Sequence, residues 1–169
     1  MLRVLLPVDD PRDSRYAVRH VIAEFTMNTA MEIHILNVQP PLRRHIAQFV
    51  CKENRESFYR DEAEKALRLV QQMLDNARIS YSVHMKVGPK ARTIAATASR
   101  LGCDRIVIAT ARKNVLTRML ENSVIDTLPG LTPVPIVIIA GRTPSMAERY
   151  GVPATAGALL ALLLFAAVE

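Results

Sequence analysis

Tryptophan is absent from this chain of 169 residues, and its four tyrosines and four phenylalanines form no repeated motif. Nucleic-acid modules stack bases on aromatic rings or read them from a recognition helix, so this scarcity argues against a nucleic-acid partner. Cysteine is nearly absent as well. Cys51 and Cys103 lie 52 positions apart, without the close paired spacing of a zinc or redox centre, which excludes a disulfide framework and leaves two reduced thiols. No charged leader with an apolar segment and cleavage site precedes the apolar Leu2 and Val4, so the expected location is cytoplasmic. Internal repeats and low-complexity tracts are lacking too.

What is present is the composition of one globular domain with a real core, 50% hydrophobic and 22% charged. The formal charge of +6 attracts anions without choosing among them. Its basic residues cluster loosely, at Arg43, Arg44, Lys52, Arg55 and Arg60 and again at Arg105, Arg112, Lys113 and Arg118, and they read as a solvated surface.

Apolar runs alternate with helical stripes. Leu2, Val4, Leu5, Leu6 and Val8 form a continuous run that suits a strand covered on both faces. Asp13 or Ser14 is placed to cap a helix bearing Ala17, Val18, Val21, Ile22 and Phe25. A second strand, Met31 to Val38, stops at Pro40 and Pro41. Phe58, Ala66, Leu67, Val70, Met73, Leu74 and Ala77 then share one stripe of a second helix. From Ile79 to Val87 apolar residues alternate strictly with Ser80, Ser82, His84 and Lys86, the period of a strand with one face in solvent, near a sheet edge. A short helix from Ala91 to Leu101 stops at Gly102. A fourth strand at Ile106 to Ala109, a helix carrying Leu116, Met119, Leu120, Val124 and Leu128, and a fifth strand at Val134 to Ala140 complete the pattern.

Strands alternating with helices predict an α/β fold, an open doubly wound parallel five-stranded sheet of order 3-2-1-4-5. This fold occupies residues 1–141, followed over 142–169 by a polar linker and an apolar C-terminal helix. The order leaves strand five as an uncovered apolar edge, which predicts a homodimer through that strand. Ligands of such sheets bind beyond the carboxyl ends of the strands where the winding reverses, which puts Asp9 opposite Thr110.

Asp9 at a strand end, Ser14 at a helix start, Gly88 after the third strand, and Asn122, Ser123 and Val124 before a proline-bearing last strand together resemble the universal stress protein family over about residues 1 to 140. Nucleotide-binding members carry Gly, two residues, Gly, nine residues, then Gly and Ser or Thr after strand four, which implies an ATP cradle. Laid on Ser123, the pattern falls on Ala109, Arg112 and Asn122, so only the hydroxyl residue is kept. Arg112 puts a long side chain where backbone should approach phosphate, and a non-glycine residue at positive φ costs about 1 to 2 kcal/mol, so ATP affinity is expected to fall at least about tenfold. Arg112 and Lys113 also add positive charge by which side chains can hold a phosphate instead. Asp9, Ala109, Arg112, Asn122 and Ser123 are therefore the candidate residues of a vestigial or weak nucleotide site. ATP is the one candidate cofactor, and no metal is expected, since Asp9 and Asp10 point to opposite faces of an extended chain.

No nucleophile, base and orienting acid share local spacing, and His20, His34, His45 and His84 are scattered and read as structural or exposed. The expectation is a non-enzymatic stress-response protein acting as a homo-oligomer without ATP-dependent function. The alternatives are an ATP-binding switch and, behind it, a nucleotide hydrolase. The segment Ala154 to Val168 is apolar on all sides, yet 15 residues at about 1.5 Å each fall short of a bilayer core of about 30 Å. Spacings of four between Ala154 and Ala158, and between Gly157 and Ala161, suit close helix packing between subunits; membrane contact and internal packing are the other readings. Deleting residues 151–169 is expected to lower the subunit count in light scattering, and an unchanged count removes the assembly role.

Overall fold

Leucine and valine fill the centre of the sheet because its strands are buried on both sides. The structure is a computed structural model describing residues 1–42, 51–110 and 124–141. β1 (Leu2–Pro7) pairs in parallel with β2 (Met31–Gln39) on one side and β4 (Arg105–Thr110) on the other. β3 (Tyr81–Val87) pairs with β2, and β5 (Ile136–Ala140) with β4, giving the order β3-β2-β1-β4-β5. The expected sheet and order are therefore present, with β3 and β5 at its edges.

Successive residues of β1 serve two cores, since a strand's side chains alternate between faces. Val4, Leu6 and Val8 join Ile33, Ile35 and Val107 beneath α1 (Pro11–Met27) and α2 (Lys52–Asn76), which contribute Val18, Val21, Val70 and Leu74. Leu5 joins Leu36, Ile106 and Ile108 on the opposite face beneath α3 (Lys90–Leu101), which contributes Ile94, Ala95 and Ala98. Leu128, in a 3-10 turn (Leu128–Gly130) after the four-residue α4 (Val124–Thr127), closes that second layer. Among the described residues no helix is long and apolar enough to cross a membrane.

Local sequence reading needs correction in four places. α1 starts at Pro11 rather than at an Asp13 or Ser14 cap: the Ser14 amide donates to the Asp10 carbonyl at 2.9 Å, and proline suits a first helical position whose N–H has no helical partner. Ser14 thereby lies inside the first turn and is buried. β3 begins at Tyr81, because the Ile79 amide donates back to the Leu74 carbonyl and its side chain enters the α2 core before pairing starts. The apolar face of β3 is not covered either: Val83, Met85 and Val87 are 40 to 46% exposed, since the buried residues of α2 run only from Ala63 to Leu74 and spend their contacts on the inner strands. For the same reason Phe58, expected on the buried stripe, is exposed. β5, finally, is shorter than expected, because Val134 and Pro135 precede it, although the Pro135 carbonyl still accepts from the Ile106 amide at 2.9 Å.

The expected helix through Leu116, Met119 and Leu120, and the polar linker and apolar C-terminal helix over 142–169, lie outside the described residues. Gly102 ends α3 as expected, in the left-handed conformation at φ 62°, its amide bonded back into the last turn. A Cβ there would stand 3.2 Å from an Arg3 guanidinium nitrogen. Gly102→Ala should therefore lower stability by about 1 to 2 kcal/mol in a denaturant melt, whereas Leu6→Ala, emptying a fully buried site, should cost about 2 to 5 kcal/mol.

Candidate functional site

The carboxyl ends of β1 and β2 are tied together by an amide side chain that sequence reading passed over, and the end of β3 is tied to β2 through backbone. Asn37, buried within β2, donates Nδ2–H to the Val8 carbonyl at 2.9 Å, and Gln39 donates its Nε2–H to Asn37 Oδ1 at 2.8 Å. The Val8 amide donates to the Leu36 carbonyl at 2.8 Å, and the Gly88 amide to the Gln39 carbonyl at 3.0 Å. These bonds fix the chain immediately before Asp9 and immediately before Lys90, at the same end of the sheet. A buried asparagine among valines and isoleucines was the available signal, because a buried amide must find partners.

Asp9 follows directly on this anchored stretch. Its carboxylate is well exposed, and its Oδ2 accepts from Lys90 Nζ at 2.5 Å. Lys90 opens α3, whose first turn carries no acidic residue and whose Pro89 N-cap supplies no side-chain hydrogen bond. Gly88, just upstream, has no room for a side chain, since a Cβ would come within 2.7 Å of Thr93 Oγ1. The structure thus brings one acid and one base together at the strand ends, 81 positions apart in the chain. Neither periodicity nor motif spacing pointed to Lys90.

The other candidates are distributed as follows. Ala109 is a residue of β4, paired with Ile139 of β5, and its methyl group packs against the core beneath α1. Thr110, the last residue of β4, pairs with Ala140. Arg112, Asn122 and Ser123 lie outside the described residues. Cys103 is buried, and burial, reinforced by Asp104, pushes its thiol up, which makes it a poor nucleophile. Among the described residues no group of three or more histidine, cysteine or acidic side chains is placed to hold a metal. The histidines, scattered in sequence, are not all isolated in space: His34 of β2 and His84 of β3 meet at 3.2 Å.

An open parallel sheet wound in both directions, with polar groups gathered at the carboxyl ends of its central strands, defines the class of nucleotide-fold α/β proteins. Within that class the sequence profile of the universal stress protein family matches residues 1–140, and the chain belongs to that family. No match was found among curated proteins. The fold is similar to that of the hypothetical protein MJ0577, with a TM-score of 0.67 and 19% identity over 84% of this chain and 97% of that one. A universal stress protein family protein from Arabidopsis thaliana, solved with AMP bound, gives a TM-score of 0.62 and 15% identity over 86% of this chain and 97% of that one. The universal stress protein from Archaeoglobus fulgidus in complex with dAMP gives 0.58 and 15% identity over 82% of this chain and 98% of that one.

Position decides which of the site's polar contacts matter for stability. An ion pair as exposed as Asp9 and Lys90 is worth at most about 1 kcal/mol, so Lys90→Ala should leave the melting midpoint nearly unchanged. Asn37→Leu strands the buried Val8 carbonyl and should cost about 1 to 3 kcal/mol, read by the same melts.

Proposed function

We propose that this universal stress protein is a non-enzymatic stress-response or signalling protein that works as a homo-oligomer and has no ATP-dependent function. The observation that carries the reading is the engagement of Asp9 by Lys90. A ligand reaching for the Asp9 carboxylate has to displace an ammonium already bonded to it. The sequence from the end of β4 onward adds nothing to offset this through backbone, because Ala109, Arg112 and Asn122 stand where three glycines would bring amides up to phosphate. The non-enzymatic part of the reading rests on the sequence, in which no catalytic set shares local spacing.

The homodimer is supported by β5. It is an edge strand in the described sheet, its Ile138 is 48% exposed, and its outer backbone groups have no partner strand among the described residues. An apolar edge of this kind is a template for a second strand, and a two-fold axis lets β5 pair with its own copy.

One observation favours a second reading, a nucleotide-binding switch. Lys90 places a cation at the carboxyl ends of the strands, where it would change partners from Asp9 to a phosphate, and proteins of similar fold were solved with AMP and with dAMP. Calorimetric titration with magnesium ATP and with AMP separates the two. The expected result is no saturable heat up to about 1 mM ligand. Micromolar binding that Asp9→Ala or Lys90→Ala removes overturns the nucleotide-independent reading in favour of the switch.

A further inference from the structure

Away from the strand ends, the side of the sheet facing α3 carries a chain of polar groups that the reading of the crevice does not use. Arg3 of β1 donates Nε–H to Glu32 Oε2 at 3.0 Å, and Glu32 Oε1 lies 3.4 Å from His34 Nε2. His34 Nδ1 then faces His84 Nε2 of β3 at 3.2 Å, with ring centroids 5.3 Å apart. His34 is 5% exposed, and His84 is half-buried on the edge strand. Further charges come from Arg100 of α3 and Lys86 of β3, which both act on His84. Asp104, ahead of β4, accepts from the Arg3 amide at 2.6 Å and holds the far end of the chain.

Donors and acceptors along this chain match as long as one of the two imidazoles stays neutral. A neutral imidazole has one N–H and one lone pair. Glu32 favours the proton of His34 on Nε2, which leaves Nδ1 to accept from His84 Nε2–H. A second proton on each ring would set two N–H groups face to face at 3.2 Å and two cations side by side, next to Arg100 and Lys86.

We infer that His34 and His84 form a proton-coupled latch that holds β3 on the sheet at neutral pH and releases this edge strand in mild acid. Burial above all, then His34, Arg100 and Lys86, lowers the pKa of His84 below its ordinary value. The unfolded or detached strand accordingly binds the proton more readily than the docked one. The stabilisation is complete above the ordinary histidine range and is lost as pH falls through about 6.5 toward the lowered value. The opening is local because β3 pairs with β2 alone and its Val83, Met85 and Val87 have little cover from α2. Release of β3 uncovers the outer edge of β2, an unpaired row of backbone donors and acceptors.

Hydrogen exchange of the full chain between pH 7.5 and 5.5, corrected for intrinsic rates, tests this. Amides of β3 should lose protection by up to about tenfold per pH unit for one linked proton, while those of β1 hold theirs. His84→Gln and His34→Gln, which keep a polar group without the titration, should flatten that dependence. Imidazole nitrogen shifts of the wild-type chain give a readout independent of any variant, and should show His84 taking up its proton below the ordinary histidine value of about 6.5. A His84 titration at or above about 6.5, or β3 protection that follows the rest of the chain at every pH, overturns the latch. So does tight zinc uptake at pH 7.5 that His84→Gln abolishes, which would make the pair metal ligands.

Discussion

Val4, Leu5 and Leu6 have no exposed surface, and each of the two cores takes its share of them. That double burial of β1 is the constraint on which the rest of the protein depends. A strand covered on both faces must be apolar at every covered position, and each face needs its own helices, so the chain winds in one direction toward β3 and in the other toward β5. At about 25 cal/mol for each Å² of apolar surface buried, the central strand carries more stabilisation than either edge. Reversal of winding beside β1 also leaves a crevice where its carboxyl end meets that of β4. The position of Asp9 is thus a by-product of the way the core is filled.

Edges are where this economy ends. β3 and β5 each pair with one neighbour and keep apolar side chains half in solvent. The two edges are held differently. β5 continues the pairing of β4 with isoleucines, while β3 meets β2 in a contact between His84 and His34.

At the carboxyl end of β1 the described charges are those of Asp9 and Lys90. Lys90, at the start of α3 after β3, donates to the Asp9 carboxylate. Cations and amides are not equivalent in such a site: amides fixed by a turn act in one place, whereas an ammonium on a flexible stem is shared among whatever anions come within reach.

Periodicity by itself determined the strands, their order and the identity of the central one, because burial on two faces, one face or none leaves a direct trace in the spacing of apolar residues. Gly88, Gly102 and Asp9 were legible for a similar reason, since turns and strand ends demand particular residues. Contacts between distant positions left no such trace. The pairing of Lys90 with Asp9, the clasp of Asn37 on the Val8 carbonyl, and the meeting of His34 with His84 join residues 29 to 81 positions apart, and each depends on strand register and side-chain direction. The exposure of Val83, Met85 and Val87 was likewise decided by tertiary structure. Alternation marks which face of a strand is apolar, but only the reach of α2 determines whether that face is covered.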